Sequence, residues 1–263
     1  MNRLEWRFNH AGELKRRHAD GGRPMLGQAA ETILEAGSDI EWLDEYWSNH
    51  QERIAGDLDI VGRYPGRVLD VGAMPYFATL ALHLQGRDVV GVDLNPGRLP
   101  TPGLRVVTCD IEHNRIPLDD DSVDVILFSE VFEHLRIDLL HTVGELRRIL
   151  TRDGVLLLTT PNLRSVRGLV RLIIRRQGWT VGADPAEQYA RLKTIGHMGH
   201  VREYTDREFE SVLHACGLRV EEVIWRRKRG SAGVLRPLTW IEALLPSLRP
   251  YMTLVARRFP TDG

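Results

Sequence analysis

Residues 66–94 read GRVLDVGAMPYFATLALHLQGRDVVGVDL, an apolar run, a stretch of helical spacing and a second apolar run. Runs that are apolar throughout, rather than alternating, describe strands buried on both faces. The amphipathic stretch between them is the crossover helix that a parallel pair requires. The alternation continues through LRVVTCD (104–110), VDVILFS (123–129), DLLHTVGELRRIL (138–150) and GVLLLTT (154–160). It predicts an α/β fold whose parallel sheet is covered by helices on both faces.

The flanks depart from this rhythm. Residues 1–62 are charged and broken by Gly21, Gly22, Pro24 and Gly37, with Trp6, Trp42, Tyr46 and Trp47 spaced as helices would bury them. They are expected to form a helical lead-in and partial lid, ahead of a main domain over 63–263. After Thr160 the alternation halts at Pro161-Asn162, and a cap insertion is expected over 161–202. Within it Arg164, Arg167, Arg171, Arg175 and Arg176 fall at near-helical spacing against Leu169, Leu172 and Ile173. This reads as an amphipathic cover with a solvated basic face, or as a cap touching a polyhydroxylated or anionic acceptor. Thr205, with Glu208 three residues on, is a capping box opening the next helix. LRVEEVIW (218–225) and YMTLVARR (251–258) are further strands, separated by the segment from Pro237 to Pro250.

With 35 basic and 36 acidic side chains in 263 residues, the chain has no global field that would draw it to nucleic acid or an anionic membrane, so any basic patch is local. Its two cysteines, Cys109 and Cys216, have no metal or redox spacing and read as structural thiols of a reducing compartment. No apolar run reaches the length of a membrane span, and the first residues lack the apolar core of a signal peptide, so the expectation is a cytoplasmic protein.

The chemistry collects at strand ends. Asp70 and Gly72 close the first strand, followed by the small Ala73 and by Pro75 in position for the first turn of a helix. A glycine there lets a ligand approach backbone N–H groups, although many parallel sheets make such a turn for packing alone. Asp93 ends the second strand, where a carboxylate can accept from ribose hydroxyls or simply form a turn before Asn95-Pro96. Asp110, after the third strand, can accept from an adenine amino group. Beyond Ser129, a helical continuation would put Glu130, Glu133 and His134 at i, i+3 and i+4 on one face.

Taken together, LDVGA, VDLNP, CDIE, SEVFEHL and RRILTRDGVLLLTTPN resemble, in order, the motifs of the class I S-adenosylmethionine-dependent methyltransferases. The resemblance spans roughly residues 65–230. It implies a Rossmann-like sheet of seven strands with the last antiparallel, and S-adenosylmethionine held by Asp70, Gly72, Ala73, Asp93, Leu94, Asp110, Ile111 and Ser129. Met74 and Tyr76 depart from the family's glycine-rich turn. Met74, Pro75 and Tyr76 would crowd a dinucleotide's pyrophosphate yet pack beside a sulfonium, which ranks an NAD-type oxidoreductase last.

The run from Ser129 to His134 further resembles the metal-dependent O-methyltransferases of ubiquinone synthesis and of small-RNA ends. That branch implies a divalent ion, Mg2+ first, on Glu130, Glu133, His134 and His200, with His197 or Glu203 as the base. GHMGHVREYT (196–205) resembles methyltransferases of bacterial polysaccharides, including the methylmannose type. The implied acceptor is a sugar, an oligosaccharide or another polyhydroxylated small molecule, with a catechol, quinol or natural product as the alternative. No nucleic-acid partner is expected, because no phosphate-tracking or base-stacking surface is evident. A non-catalytic scaffold that keeps the fold is the competing reading from another class, and nothing in the sequence fixes the oligomeric state.

Overall fold

A computed structural model of the chain describes residues 7–8, 14–15, 25–37, 40, 42–176, 186, 190, 199–227 and 236–259. Its elements follow the predicted alternation. A two-residue pairing of β1 (Arg7–Phe8) with β2 (Leu14–Lys15) precedes helices α1 (Leu26–Ala36) and α2 (Leu43–Val61). Then come β3 (Val68–Val71), α3 (Phe77–Leu84), β4 (Val89–Asp93), β5 (Val106–Thr108), β6 (Val123–Ser129), α4 (Leu139–Ile149) and β7 (Leu150–Pro161). The remainder is α5 (Val166–Arg175), α6 (Asp206–Ala215), β8 (Leu218–Arg226), α7 (Arg236–Leu244) and β9 (Tyr251–Arg258).

The main sheet has seven strands in the order β5-β4-β3-β6-β7-β9-β8, as expected of the fold. Strands β3, β4 and β5 pair in parallel, whereas β9 inserts antiparallel between β7 and β8. Five of the seven β6 residues are buried, which is why VDVILFS reads as apolar throughout rather than as alternating.

The chain divides into two compact units. The first comprises residues 1–109 and 123–127, and the second residues 110–122 and 128–263. In the first unit α1 and α2 pack with α3. Tyr46 and Trp47 lie over the Phe77 ring at centroid distances of 6.3 and 4.7 Å and are half-buried, where the spacing predicts burial. Trp42 is exposed, and Trp6 lies outside the described residues.

In the second unit Phe132 meets Phe128, Tyr204 and Phe209 edge-on at 4.7–6.1 Å, forming an aromatic core. The predicted capping box is formed: the Thr205 hydroxyl accepts from the Glu208 N–H at 3.3 Å, and Glu208 Oε2 accepts from the Thr205 N–H at 2.8 Å. The segment Pro237–Pro250, expected as a connection between strands, instead contains helix α7. Pro237 sits in its first turn, where a missing N–H costs nothing. Cys109 and Cys216 are both free thiols.

Candidate active site

In the first unit, the turn after β3 is shaped by two glycines. Gly72 has φ +70°, in the left-handed region that favours a residue without Cβ. A Cβ on Gly91 of β4 would stand 2.9 Å from the Ala73 Cβ, so Gly91 and Ala73 must both be small for the turn to lie against the sheet. Asp70 is buried and accepts the Thr79 hydroxyl at 2.6 Å. Burial, with the charges of Asp57 and Asp93 adding to it, raises its carboxyl to about 7.

Asp93, at the end of β4, is oriented by two backbone donors. The Met74 N–H reaches Oδ2 at 3.0 Å and the Asn95 N–H reaches Oδ1 at 2.9 Å. Each carboxylate oxygen keeps a further lone pair for a ligand hydroxyl. Leu94, the next residue, is left 59 % exposed. Tyr76 is anchored against the loop after β4. It is buried, its hydroxyl donates to the Pro96 carbonyl, and burial pushes that hydroxyl up to about 12. An apolar cavity of about 220 Å³ borders this turn, lined by Met74, Pro75 and Tyr76, by Trp42 and Leu43 at the start of α2, and by residues 96–100.

In the second unit, Asp110 accepts the Glu112 N–H at 3.0 Å and lies 2.8 Å from His113 Nδ1. Burial opposes its ionisation, but these hydrogen bonds and the His113 ring outweigh it and hold the carboxyl below its usual range. The neighbouring Ile111 carbonyl accepts the Thr142 hydroxyl, and Ser129 ends β6.

The predicted helix through Glu130, Glu133 and His134 is not formed. Glu130 takes φ +57°, Val131 is non-helical, and only Phe132–His134 make a 3-10 turn. Glu130 therefore loses the i, i+3 relation to Glu133 and is not among the ligand atoms that converge. Those atoms belong to Glu133, His134 and His200, and all lie within 4.8 Å of one another.

The convergence follows from the chain around it. The Glu133 carbonyl accepts the N–H groups of Val201 at 2.7 Å and Arg202 at 3.3 Å, and Tyr204 packs into the Phe132–Phe209 core. His200 is thereby held with its ring edge-on to His134 at 4.9 Å.

Glu133 is fully buried. The Thr160 hydroxyl donates to its Oε2 at 3.2 Å, and His200 Nε2 stands 3.8 Å from its Oε1. His200 Nδ1 lies 3.1 Å from Glu203 Oε1. An Nδ1–H donating to Glu203 would leave the Nε2 lone pair free for a metal ion. Glu203, which the resemblance offers after His197 as a base, is buried beside His200. No sequence pattern signals this contact through the capped segment. His197 lies outside the described residues.

The Asn162 side chain is held by the protein itself. Its amide donates to the Ser247 and Arg249 carbonyls at 2.9 and 2.8 Å, and its Oδ1 accepts the Arg164 N–H at 3.0 Å. It ties the end of β7 to the connection before β9.

Three carboxylate and imidazole ligand atoms around one point, one imidazole oriented by a second carboxylate, suit a divalent cation of intermediate hardness. The fit holds for Glu133, His134 and His200 and not for Glu130. No helix among the described residues is long and apolar enough to cross a membrane.

Known proteins are similar in sequence and in fold. A probable S-adenosylmethionine-dependent methyltransferase of Mycolicibacterium smegmatis is 28 % identical over 186 residues, covering 69 % of this chain and 62 % of that protein. The chain thus spans under two thirds of the length of this curated relative. A SAM-dependent methyltransferase from Mesorhizobium loti superposes with a TM-score of 0.53 at 20 % identity, covering 80 % of this chain and 98 % of that one. A 1,6-didemethyltoxoflavin N1-methyltransferase from Burkholderia thailandensis, solved with S-adenosylhomocysteine, superposes at 0.51 with 17 % identity over 97 % and 99 % of the two chains. At these identities the structures speak to the fold. A methyltransferase-domain family model matches residues 40–223, well over half of the sequence, and the chain belongs to that family.

Proposed function

We propose that this chain transfers a methyl group from S-adenosylmethionine to a hydroxyl of a sugar, oligosaccharide or other polyhydroxylated small molecule, assisted by a divalent ion. Support for the donor comes from the family and from the Gly72 turn beside a pre-oriented Asp93. The convergence of Glu133, His134 and His200 is the observation that carries the metal-assisted reading.

In this reading Asp93 accepts the ribose hydroxyls, Leu94 offers the adenine an apolar face, and the Gly72-Ala73 turn admits the methionine end beside Asp70. The family resemblance also assigns Asp110, Ile111 and Ser129 to the donor, and α1 and α2 act as the partial lid. Glu133, His134 and His200 would hold the ion, Mg2+ first. When bound, a divalent ion lowers the pKa of a coordinated hydroxyl. Glu203 fixes the His200 tautomer, and the Thr160 hydroxyl orients the carboxylate of the fully buried Glu133. Alignment of hydroxyl and methyl donor is the larger contribution, on the order of 7–11 kcal/mol.

A second reading rests on the 3.1 Å His200–Glu203 pair, which as a carboxylate-oriented imidazole would serve as a metal-free general base. A labelled-donor assay across sugars, catechols and quinols separates the two. The metal-assisted reading expects turnover to vanish in EDTA and return with Mg2+ or Mn2+. Full turnover in chelator removes the metal and leaves His200 as base.

A further inference from the structure

The four most exposed large hydrophobic side chains among the described residues all lie on two neighbouring helices of the second unit. They are Ile173 (76 %) and Ile174 (73 %) on α5, and Trp240 (73 %) and Leu244 (79 %) on α7. The two helices pack together, and an ion pair of Arg167 with the buried Glu242 joins them at 3.2 Å. The sequence reading of α5 as a cover with its basic face in water is thus half reversed, because its apolar residues also face outward.

Exposure of this kind needs a reason, since isolated surface leucines do not. The charge around the patch supplies one. Residues 162–176 and 236–249 contain seven arginines and a single acid, in a chain whose overall formal charge is only −1. That acid is Glu242, which is buried and paired with Arg167, and Arg164 is paired with Asp206 at 3.0 Å, so seven arginines against these two acids still leave a formal excess of five positive charges. A second copy of the same patch would bring arginines against arginines. A bilayer carrying anionic headgroups suits both features at once, the aliphatic side chains settling below the headgroups and the net positive charge of the two segments drawing it in. Trp240 is the side chain type that settles at that boundary.

We infer that α5 and α7 form an interfacial docking surface for an anionic lipid bilayer, which the protein binds peripherally without spanning it. The inference stands apart from the metal and the acceptor. It also leads to a class of substrate: α5 starts six residues after Thr160, whose hydroxyl holds Glu133, so a docked protein would meet amphiphilic acceptors that reside in the bilayer.

Vesicle co-sedimentation of the full chain tests this, with phosphatidylcholine alone against phosphatidylcholine containing about one third phosphatidylglycerol. The expected result is roughly tenfold or greater enrichment on the anionic vesicles, weakened by high salt. Ile173→Glu/Ile174→Glu and, separately, Trp240→Ala should abolish or reduce it. Unchanged melting curves and unchanged S-adenosylhomocysteine affinity of these variants would show that the fold survives. Absence of binding by the wild type, or equal binding to neutral and anionic vesicles, overturns the inference. So does a wild-type dimer that dissolves on Ile173→Glu/Ile174→Glu without any vesicle binding, since a second copy would then be what covers the face.

Discussion

Asp70 and Asp93 are 23 positions apart and stand at the ends of adjacent, parallel strands, whereas His134 and His200 are 66 apart and meet through a turn and a capped segment. The first pair is placed by local rules: an apolar strand, a glycine in the left-handed region, a helix and a second strand. The second pair depends on tertiary closure of a long insertion, whose entropic cost grows with length and must be offset by contacts at its far end. Those contacts are visible in Val201 and Arg202 on the Glu133 carbonyl and in Tyr204 within the aromatic core. Burial also acts differently in the two places. Asp70 is pushed toward neutrality with one hydroxyl for company, while Glu133 sits among imidazoles.

Replacing Asp70 gives the largest expected effect. Below about pH 4 the carboxyl is protonated in both folded and unfolded chains. Between there and its folded value of about 7 the unfolded chain ionises while the folded one holds its proton, so stability falls across that window and stays reduced above it. Asp70→Asn removes this penalty. Thermal melts should show almost no gain at pH 4 and a gain of up to about 4 kcal/mol at pH 8. A gain that does not vary with pH would mean that Asp70 is not the buried acid described here.

Next come the carboxylates of the second unit. Glu133→Gln should lower turnover roughly 100-fold or more and Glu203→Gln roughly tenfold, each with donor affinity unchanged, as steady-state rates and equilibrium titrations would show. Donor affinity falling in step with turnover would erase the separation between the two regions.

How much of the molecule is legible in the sequence follows the same division. Strand and helix order, the Gly72 turn and the Thr205 capping box are local, and each appears where its residues place it. The helix expected through Glu130 fails because a periodic match of carboxylates does not show whether the backbone turns helical. Here the backbone of Glu130 takes a positive φ and breaks the register. The Glu203–His200 contact leaves no trace in spacing. Nor do the amide partners of Asn162, the carbonyls of residues 247 and 249, which lie more than 80 positions away. Helix α7 is hidden by prolines that sit at its ends rather than inside it.

The central claim, a donor site built on the Gly72 turn and Asp93, is tested most directly by calorimetric titration of the chain with S-adenosylhomocysteine. The account predicts saturable binding of one molecule per chain, weakened roughly 30-fold or more by Asp93→Ala, which removes two charged acceptors for the ribose hydroxyls. No heat of binding in the wild type, or equal affinity in wild type and Asp93→Ala, would contradict it.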